Sequence, residues 1–403
     1  MQVVIRTAAL ALCGLALAAG NASGGGLAPL YGLVENGGSA ALVRVDPSTL
    51  QATGTRLALG GFFHGWSFSP GRARLVVGSG DTATLGRPAA LRFVDVGRLR
   101  REGDVVLAGE TGRIAGTAWS GGRVLALVVG ERTAHLVAVD PDSRRVVGRV
   151  TLEGTVRSGA ATAGGLVLLL APQERIGPAR LAVVDSKLRV RSAVLGRITA
   201  GWQTRGSGEA FRAQGQIPAL AVAAGRAYVL GAGDEPSAEV DLTTLTVTYR
   251  EERLLARTAK EITQQARFAA WLGDGLLAVG RQDIAPKQGR TATGVSVLDV
   301  RDWSLRALDE KATSFAVGGG LVFVFSEKLG LRAFGPDGRV RFSALTDWRI
   351  AEVQAYNRRA LVQMAGSAVA DVAVLDLDTG RVVRKGLERP PELLLGSAAP
   401  IWG

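Results

Sequence analysis

VAVLDLDTGRVVRKG, residues 372–386, is the stretch on which the fold turns. An apolar run ends at Asp376, a turn follows at Asp378-Thr379-Gly380, and a second valine-rich run leaves through Arg381. LVAVDPDSRRVVGRV, residues 136–150, has almost the same form. The apolar run with its acidic end recurs, closing at Asp46, Asp95, Asp140, Asp185, Asp241, Asp299 and Asp376, with an eighth copy that carries Gly335 in the acidic place. Successive intervals are 49, 45, 45, 56, 58, 36 and 41 residues, centred on the length of a four-stranded propeller blade.

The larger unit reads strand by strand. In 113–150, RIAGTAWSGG is a first strand, RVLALVVG a second that is apolar on both faces, HLVAVD a third and RRVVGRVTL a fourth. Short runs bounded by Gly, Asp and Pro are the all-β signature. Each aspartate is expected to accept backbone N–H bonds in the turn between third and fourth strands, a structural role and not a catalytic one. The expectation is an all-β, β-propeller chain of four-stranded blades, eight favoured and seven possible. The chain opens with a second and a third strand (PLYGLVE, ALVRVD) and ends in LLLGS, so N- and C-terminal strands are expected to pair and close the ring, leaving no exposed edge.

Composition agrees. Glycine is abundant (54 residues) and 47% of the chain is hydrophobic, which fits many tight turns around a large core. The formal charge of +12 comes mostly from arginines spread singly, many at turns, with no basic stripe or aromatic interleaving. They read as a solvated surface, and no nucleic-acid partner is expected. Residues 1–22 have the layout of a secretory signal peptide, with Arg6 before an apolar stretch and small residues at Gly20 and Ala22. Leu12 before Cys13 does not fit a lipoprotein signal, and removal of 1–22 leaves no cysteine. A single exported domain over 23–403 is expected, periplasmic or extracellular, monomeric, from a bacterial exporter, with no membrane span in the mature chain.

The third-strand turns (VAVLDLDTGRVV, LVAVDPDSRRVV) and WSFSPGRARLVV, residues 66–77, resemble those of the secreted YVTN-repeat and quinoprotein-like β-propellers. The resemblance covers the whole mature chain and implies that fold. Its best-known enzymes bind pyrroloquinoline quinone and carry D-x-x-T-G-x-x-x-W repeats. Asp376 to Arg381 looks like that motif, but Arg384 stands in the tryptophan slot, so neither quinone chemistry nor another cofactor is expected. Trp66, Trp119 and Trp271 fall in first strands and read as packing between blades.

Four insertions stretch the pattern: 78–90, 198–216, 251–267 and 280–294. Long connections are where binding sites arise, and in a propeller these share one face. The 251–267 segment has a helical stripe (Leu255, Ala259, Ile262, Ala266) and is expected to form a helical cap. Trp202, Arg205, Phe211 and Arg212, with Arg281, Asp283, Lys287 and Arg290, are the expected binding residues near the fifth and sixth blades. That basic, aromatic lining suits an unidentified small molecule, a glycan or a protein partner, bound without catalysis. The alternative is a propeller hydrolase or lyase using His64 at the channel mouth. No metal-binding loop or phosphate-binding loop is present.

Overall fold

The computed structural model describes residues 29–36, 39–60, 63–81, 87–110, 112–130, 134–162, 164–205, 212–250, 264–285, 289–326, 330–365, 372–386, 391 and 393–395. The expected signal peptide and Cys13 lie outside them. Among the described residues every element is a strand, and the strands follow one another as antiparallel meanders.

The first meander is β1 (Leu30–Asn36), β2 (Ser39–Val45) and β3 (Ala52–Gly60). The second is β4 (Phe63–Phe68), β5 (Arg74–Asp81), β6 (Arg87–Asp95) and β7 (Arg100–Val106). The third is β8 (Arg113–Ser120), β9 (Arg123–Val129), β10 (Ala134–Asp140) and β11 (Arg145–Leu152). The fourth is β12 (Thr155–Thr162), β13 (Gly165–Ala171), β14 (Gly177–Asp185) and β15 (Val190–Arg205), followed by β16 (Arg212–Ile217). The fifth is β17 (Ala219–Ala223), β18 (Arg226–Leu230), β19 (Ser237–Asp241) and β20 (Val247–Arg250). The sixth is β21 (Gln264–Gly273), β22 (Leu276–Ala285), β23 (Gly289–Asp299) and β24 (Leu305–Asp309). The seventh is β25 (Ser314–Gly318), β26 (Leu321–Ser326), β27 (Gly330–Phe334) and β28 (Val340–Ala344). The eighth is β29 (Ile350–Tyr356), β30 (Arg359–Met364), β31 (Val372–Asp376) and β32 (Val382–Lys385), and β33 (Leu393–Leu395) follows. β33 pairs antiparallel with β1, Leu33 opposite Leu393, and so completes a four-stranded order β3-β2-β1-β33.

The meanders stand as a ring of sheets, and apolar clusters fill the spaces between neighbours. Leu125, Leu127 and Leu136 of the third meet Leu166, Leu168 and Val184 of the fourth. Val167, Leu169 and Leu181 of the fourth meet Leu220, Val229 and Val240 of the fifth. Between the ends of the chain, Leu30, Val34 and Val43 of the first meander pack against Leu361, Val372 and Val374 of the eighth. Trp66 is buried with Tyr31 and Leu33 of the first meander, while the Trp119 indole donates to the Ser67 carbonyl at 3.2 Å, so the first-strand aromatics do bridge neighbours.

The repeated aspartate does what its chemistry allows. Asp46 Oδ1 accepts the Ser48 and Thr49 N–H groups (2.7 and 3.2 Å), Asp241 those of Thr243 and Thr244, and Asp376 those of Asp378 and Thr379. Asp95, Asp140, Asp185 and Asp299 accept the corresponding bonds. Where Gly335 replaces it, Asp337 takes the Arg339 N–H. These turns end on a residue at positive φ, and that residue is often large: Leu50 (φ 53°), Leu188 (61°), Leu245 (60°), Trp303 (62°). That backbone is unfavourable for a side chain with Cβ. Complete burial of Leu50 and near-complete burial of Trp303 offset it.

The arginines are less idle than their spacing suggests. Arg44 donates to the Gly97 carbonyl, Arg123 to Ser186, Arg191 to Leu242 and Thr243, Arg306 to Asp337, and Arg359 to Ser48 at 3.1 Å. Each bond runs from one meander to the third-to-fourth strand turn of the next, the last from the eighth to the first. The expected solvated surface is thus partly a set of clamps between neighbours.

Candidate functional site

The expected loop at 198–216 is a hairpin in its described part. The first half of β15 pairs with β14, and beyond a shift in register Gly201–Arg205 pairs with β16, Trp202 opposite Gly215. β16 then pairs in parallel with β21, Gly215 opposite Gln264 and Ile217 opposite Ala266. The fourth and sixth meanders thereby share one nine-stranded sheet, and the fifth lies between them in sequence. Trp202 is half-buried and lies across Gly215, where a Cβ would stand 3.1 Å from the indole ring. The 280–294 insertion is likewise strand: β22 and β23 stay paired out to Ala285 opposite Gly289. Backbone groups that a loop would leave to water are satisfied by pairing.

Behind the hairpins lies a buried ionic cluster. Arg281 Nε donates to Asp283 Oδ2 at 2.7 Å, and both side chains are 0% exposed. Arg267 on β21 lies 3.4 Å from Asp283 Oδ1 and donates to the Ala266 and Gly233 carbonyls (3.0 and 3.1 Å). Burial, helped by Arg281, pulls the Arg267 pKa down to about 10. Glu235, beside it, accepts the Thr199 N–H at 3.0 Å and the Thr199 hydroxyl; burial raises its carboxyl above the usual range against those bonds. A cavity of about 10 Å³, lined by Gly233, Glu235, Ser237, Arg267 and Gly280, has room for roughly one water. The Gln216 carboxamide donates to Gln265 Oε1 at 2.9 Å and ties β16 to β21.

A second feature surrounds the upstream ends of the inner strands. Register shifts occur between Phe63 and Trp66 in β4, Ile114 and Gly116 in β8, Val156 and Ser158 in β12, and Ile350 and Glu352 in β29. Four inner strands therefore carry an irregularity within their first four residues, the kind of feature that re-aims side chains. Gly65 in the first of these lets β4 approach β8: a Cβ there would stand 2.6 Å from Gly116 Cα. At two of these shifts Arg157 Nε and Glu352 Oε1 are buried atoms without a hydrogen bond, as is Gln216 Oε1 on β16. Burial lowers the Arg157 pKa and raises that of Glu352 to about 7.

Several expected residues fall elsewhere than foreseen. Arg281 and Asp283 were expected on a solvent-facing lining; they have no exposed side-chain surface and hold each other and Arg267. Their side chains are buried and help position the hairpin, and Arg281 also lines a small pocket with Phe268, Gln282, Ser314 and Phe315. Arg205, Arg212 and Arg290 lie on strands, the first two directly opposite each other. Phe211 and Lys287 lie outside the described residues. So does 251–263 of the expected helical cap, while 264–267 are extended as the start of β21. His64 lies in the irregular part of β4, early in an inner strand. Arg267, Glu235, Arg157 and Glu352 were missed. The last two were visible as charges interrupting otherwise apolar or small first strands, TVRSGAAT and IAEVQAY.

No family model and no curated protein matches the chain. Solved structures do. AztD from Citrobacter koseri superposes with a TM-score of 0.54 at 12% identity, over 93% of this chain and 96% of that one. The dihydro-heme d1 dehydrogenase NirN, in complex with DHE, gives 0.52 at 14% identity, over 91% and 74%. Sqt1 of Saccharomyces cerevisiae gives 0.50 at 9% identity, over 80% and 84%. The fold is that of a β-propeller. At these identities the likeness reaches the architecture and stops there. Among the described residues, no helix is long and apolar enough to cross a membrane.

Proposed function

We propose that the protein is an exported, single-domain propeller of eight blades, closed by β33, that binds a ligand or partner without catalysis. Binding uses the face built by the β15–β16 and β22–β23 hairpins. The observation that carries this reading is the sheet running from the fourth meander through β16 to the sixth. Blade closure needs only short connections, whereas this sector has long paired strands locked from behind by Arg267, Asp283 and Arg281. Rigid support beneath a face is what a binding site requires. Trp202 supplies an aromatic surface, and Arg205 and Arg212 supply cationic residues on the paired strands. Together they suit an anionic or carbohydrate-like ligand, or an acidic protein patch. Eight blades account for the eight meanders, each packed on the next, and for the Arg359 clamp between last and first.

A thermal-shift titration tests the reading, using calcium, magnesium, EDTA, anionic metabolites and oligosaccharides. Binding to the folded state raises Tm, by about 2.7 kcal/mol of stabilisation at a hundredfold excess over Kd. The expected result is a rise with an anion or glycan that is abolished in Trp202→Ala/Arg205→Ala. A rise with metal that EDTA reverses and His64→Ala abolishes would instead favour the hydrolase or lyase alternative in the channel.

A further inference from the structure

We propose that the hairpin face takes a neutral oligosaccharide, held by a row of four carboxamides, Gln203, Gln214, Gln216 and Gln265, on one side of the sheet formed by β15, β16 and β21. The inference rests on the reading of this sector as a binding face and narrows its ligand to an uncharged chain of hydroxyl-bearing rings.

Register brings the four together. Gln203 stands opposite Gln214, Gly201 opposite Gln216, and Gln216 beside Gln265 across the parallel pair. Opposed residues share a side of a sheet, as do residues two apart along a strand, so the four side chains rise from one side. Trp202 and Gly215 alternate to the other, where the indole lies across the glycine. The contacts agree: Gln203 Nε2 donates to Gln214 Oε1 at 2.6 Å, and Gln216 Nε2 to Gln265 Oε1 at 2.9 Å. The row grades from exposed Gln214 through half-buried Gln203 and Gln216 to buried Gln265. Two neighbouring connections bound its inner end: a Cβ on Gly201 would meet the Arg175 carbonyl, and one on Gly233 the Gln265 carboxamide.

A carboxamide carries two N–H donors and a carbonyl oxygen with two lone pairs. One bond per pair leaves Gln203 Oε1, Gln214 Nε2 and Gln216 Oε1 with capacity to spare, and the last is buried and accepts nothing. A buried acceptor left unbonded costs free energy that a ligand hydroxyl would recover. Donors and acceptors side by side match sugar hydroxyls, each of which donates and accepts at once. The row itself is uncharged, and Arg267 and Arg281 behind it are met by Asp283 and Glu235. The next opposed pair toward the hairpin tip, Arg205 and Arg212, is where an anion would instead be held. β16 has strand neighbours on both sides at Gly215 and Gln216, which leaves no backbone edge there for an extended peptide to pair with.

Isothermal titration of the purified protein with maltopentaose, cellopentaose and chitopentaose, and with trigalacturonate and inorganic phosphate as anionic probes, tests this. At least one neutral pentasaccharide is expected to bind, with an affinity that holds as ionic strength rises about tenfold. Gln203→Leu/Gln214→Leu changes the accessible end of the row, where folding is least disturbed, and should weaken that binding about tenfold or more. Gln216→Leu, checked for folding by thermal unfolding, should weaken it as well. Binding of trigalacturonate or phosphate alone, lost in Arg205→Ala/Arg212→Ala, would overturn the carboxamide row while leaving the hairpins as a binding face. A pentasaccharide bound at wild-type strength by the folded Gln203→Leu/Gln214→Leu protein would overturn both, and no binding by any neutral probe would overturn the inference.

Discussion

Aspartate closes the third-to-fourth strand turn because its short carboxylate reaches two N–H groups that the turn leaves without a strand partner. The same bonds hold the Asp241 carboxyl low, chiefly the Thr244 N–H; in Asp299 the Arg301 guanidinium acts most strongly and takes the carboxyl to about 2. This role was legible from the repeat alone, since spacing and residue type sufficed. Glu352 shows the opposite case. Its carboxyl rises from 4.5 to about 7 through burial, with only the Gln354 side chain acting to lower it. A native state that holds this proton more tightly than the unfolded chain is favoured below pH about 4.5 and loses that advantage as pH rises through about 7. Chemical denaturation across pH 5–8 should therefore show wild-type stability falling relative to Glu352→Gln. Parallel pH profiles for the two proteins would show that Glu352 titrates normally.

Elements were legible where a periodic pattern ran uninterrupted, and less so where pairing overrode local preference. Of the helical stripe Leu255, Ala259, Ile262 and Ala266, only Ala266 lies among the described residues, and it is in the strand Gln264–Gly273. Two sheet neighbours, β16 and β22, pair with the start of that strand and extend it. The hairpins at 198–216 and 280–294 were read as loops for a related reason: their polar residues alternate too irregularly to signal strands, and tertiary pairing supplies the order. The buried charges on those hairpins were out of reach of spacing arguments, because Arg267 and Asp283 meet only once β21 and β22 pair. Removing one partner from such a cluster leaves buried cations uncompensated. Asp283→Ala should cost roughly 3–5 kcal/mol in denaturant unfolding, and a cost under about 1 kcal/mol would show that the cluster is not what holds the hairpins.

At the scale of the whole molecule, the large net positive charge has a structural component. Arginines that look scattered along the chain, on second, third or fourth strands of five meanders, reach carbonyls of the next meander's turn. Sequence spacing placed many of them near turns but not their acceptors, which lie in a neighbouring repeat. The ligand remains illegible for a different reason: a propeller's repeat specifies its turns and cores, and neither depends on what is bound. Both proposals depend on the meanders forming one closed ring, with β33 seated on β1. An engineered cysteine pair, Leu33→Cys with Leu393→Cys in a Cys13→Ser background, tests that directly. The two positions are opposed across the β1–β33 pair, within the span that a disulfide bridges. Mild oxidation of the native protein should yield an intramolecular disulfide with altered mobility on a non-reducing gel, absent from either single variant. Two freely titratable thiols under native conditions would contradict the closed ring.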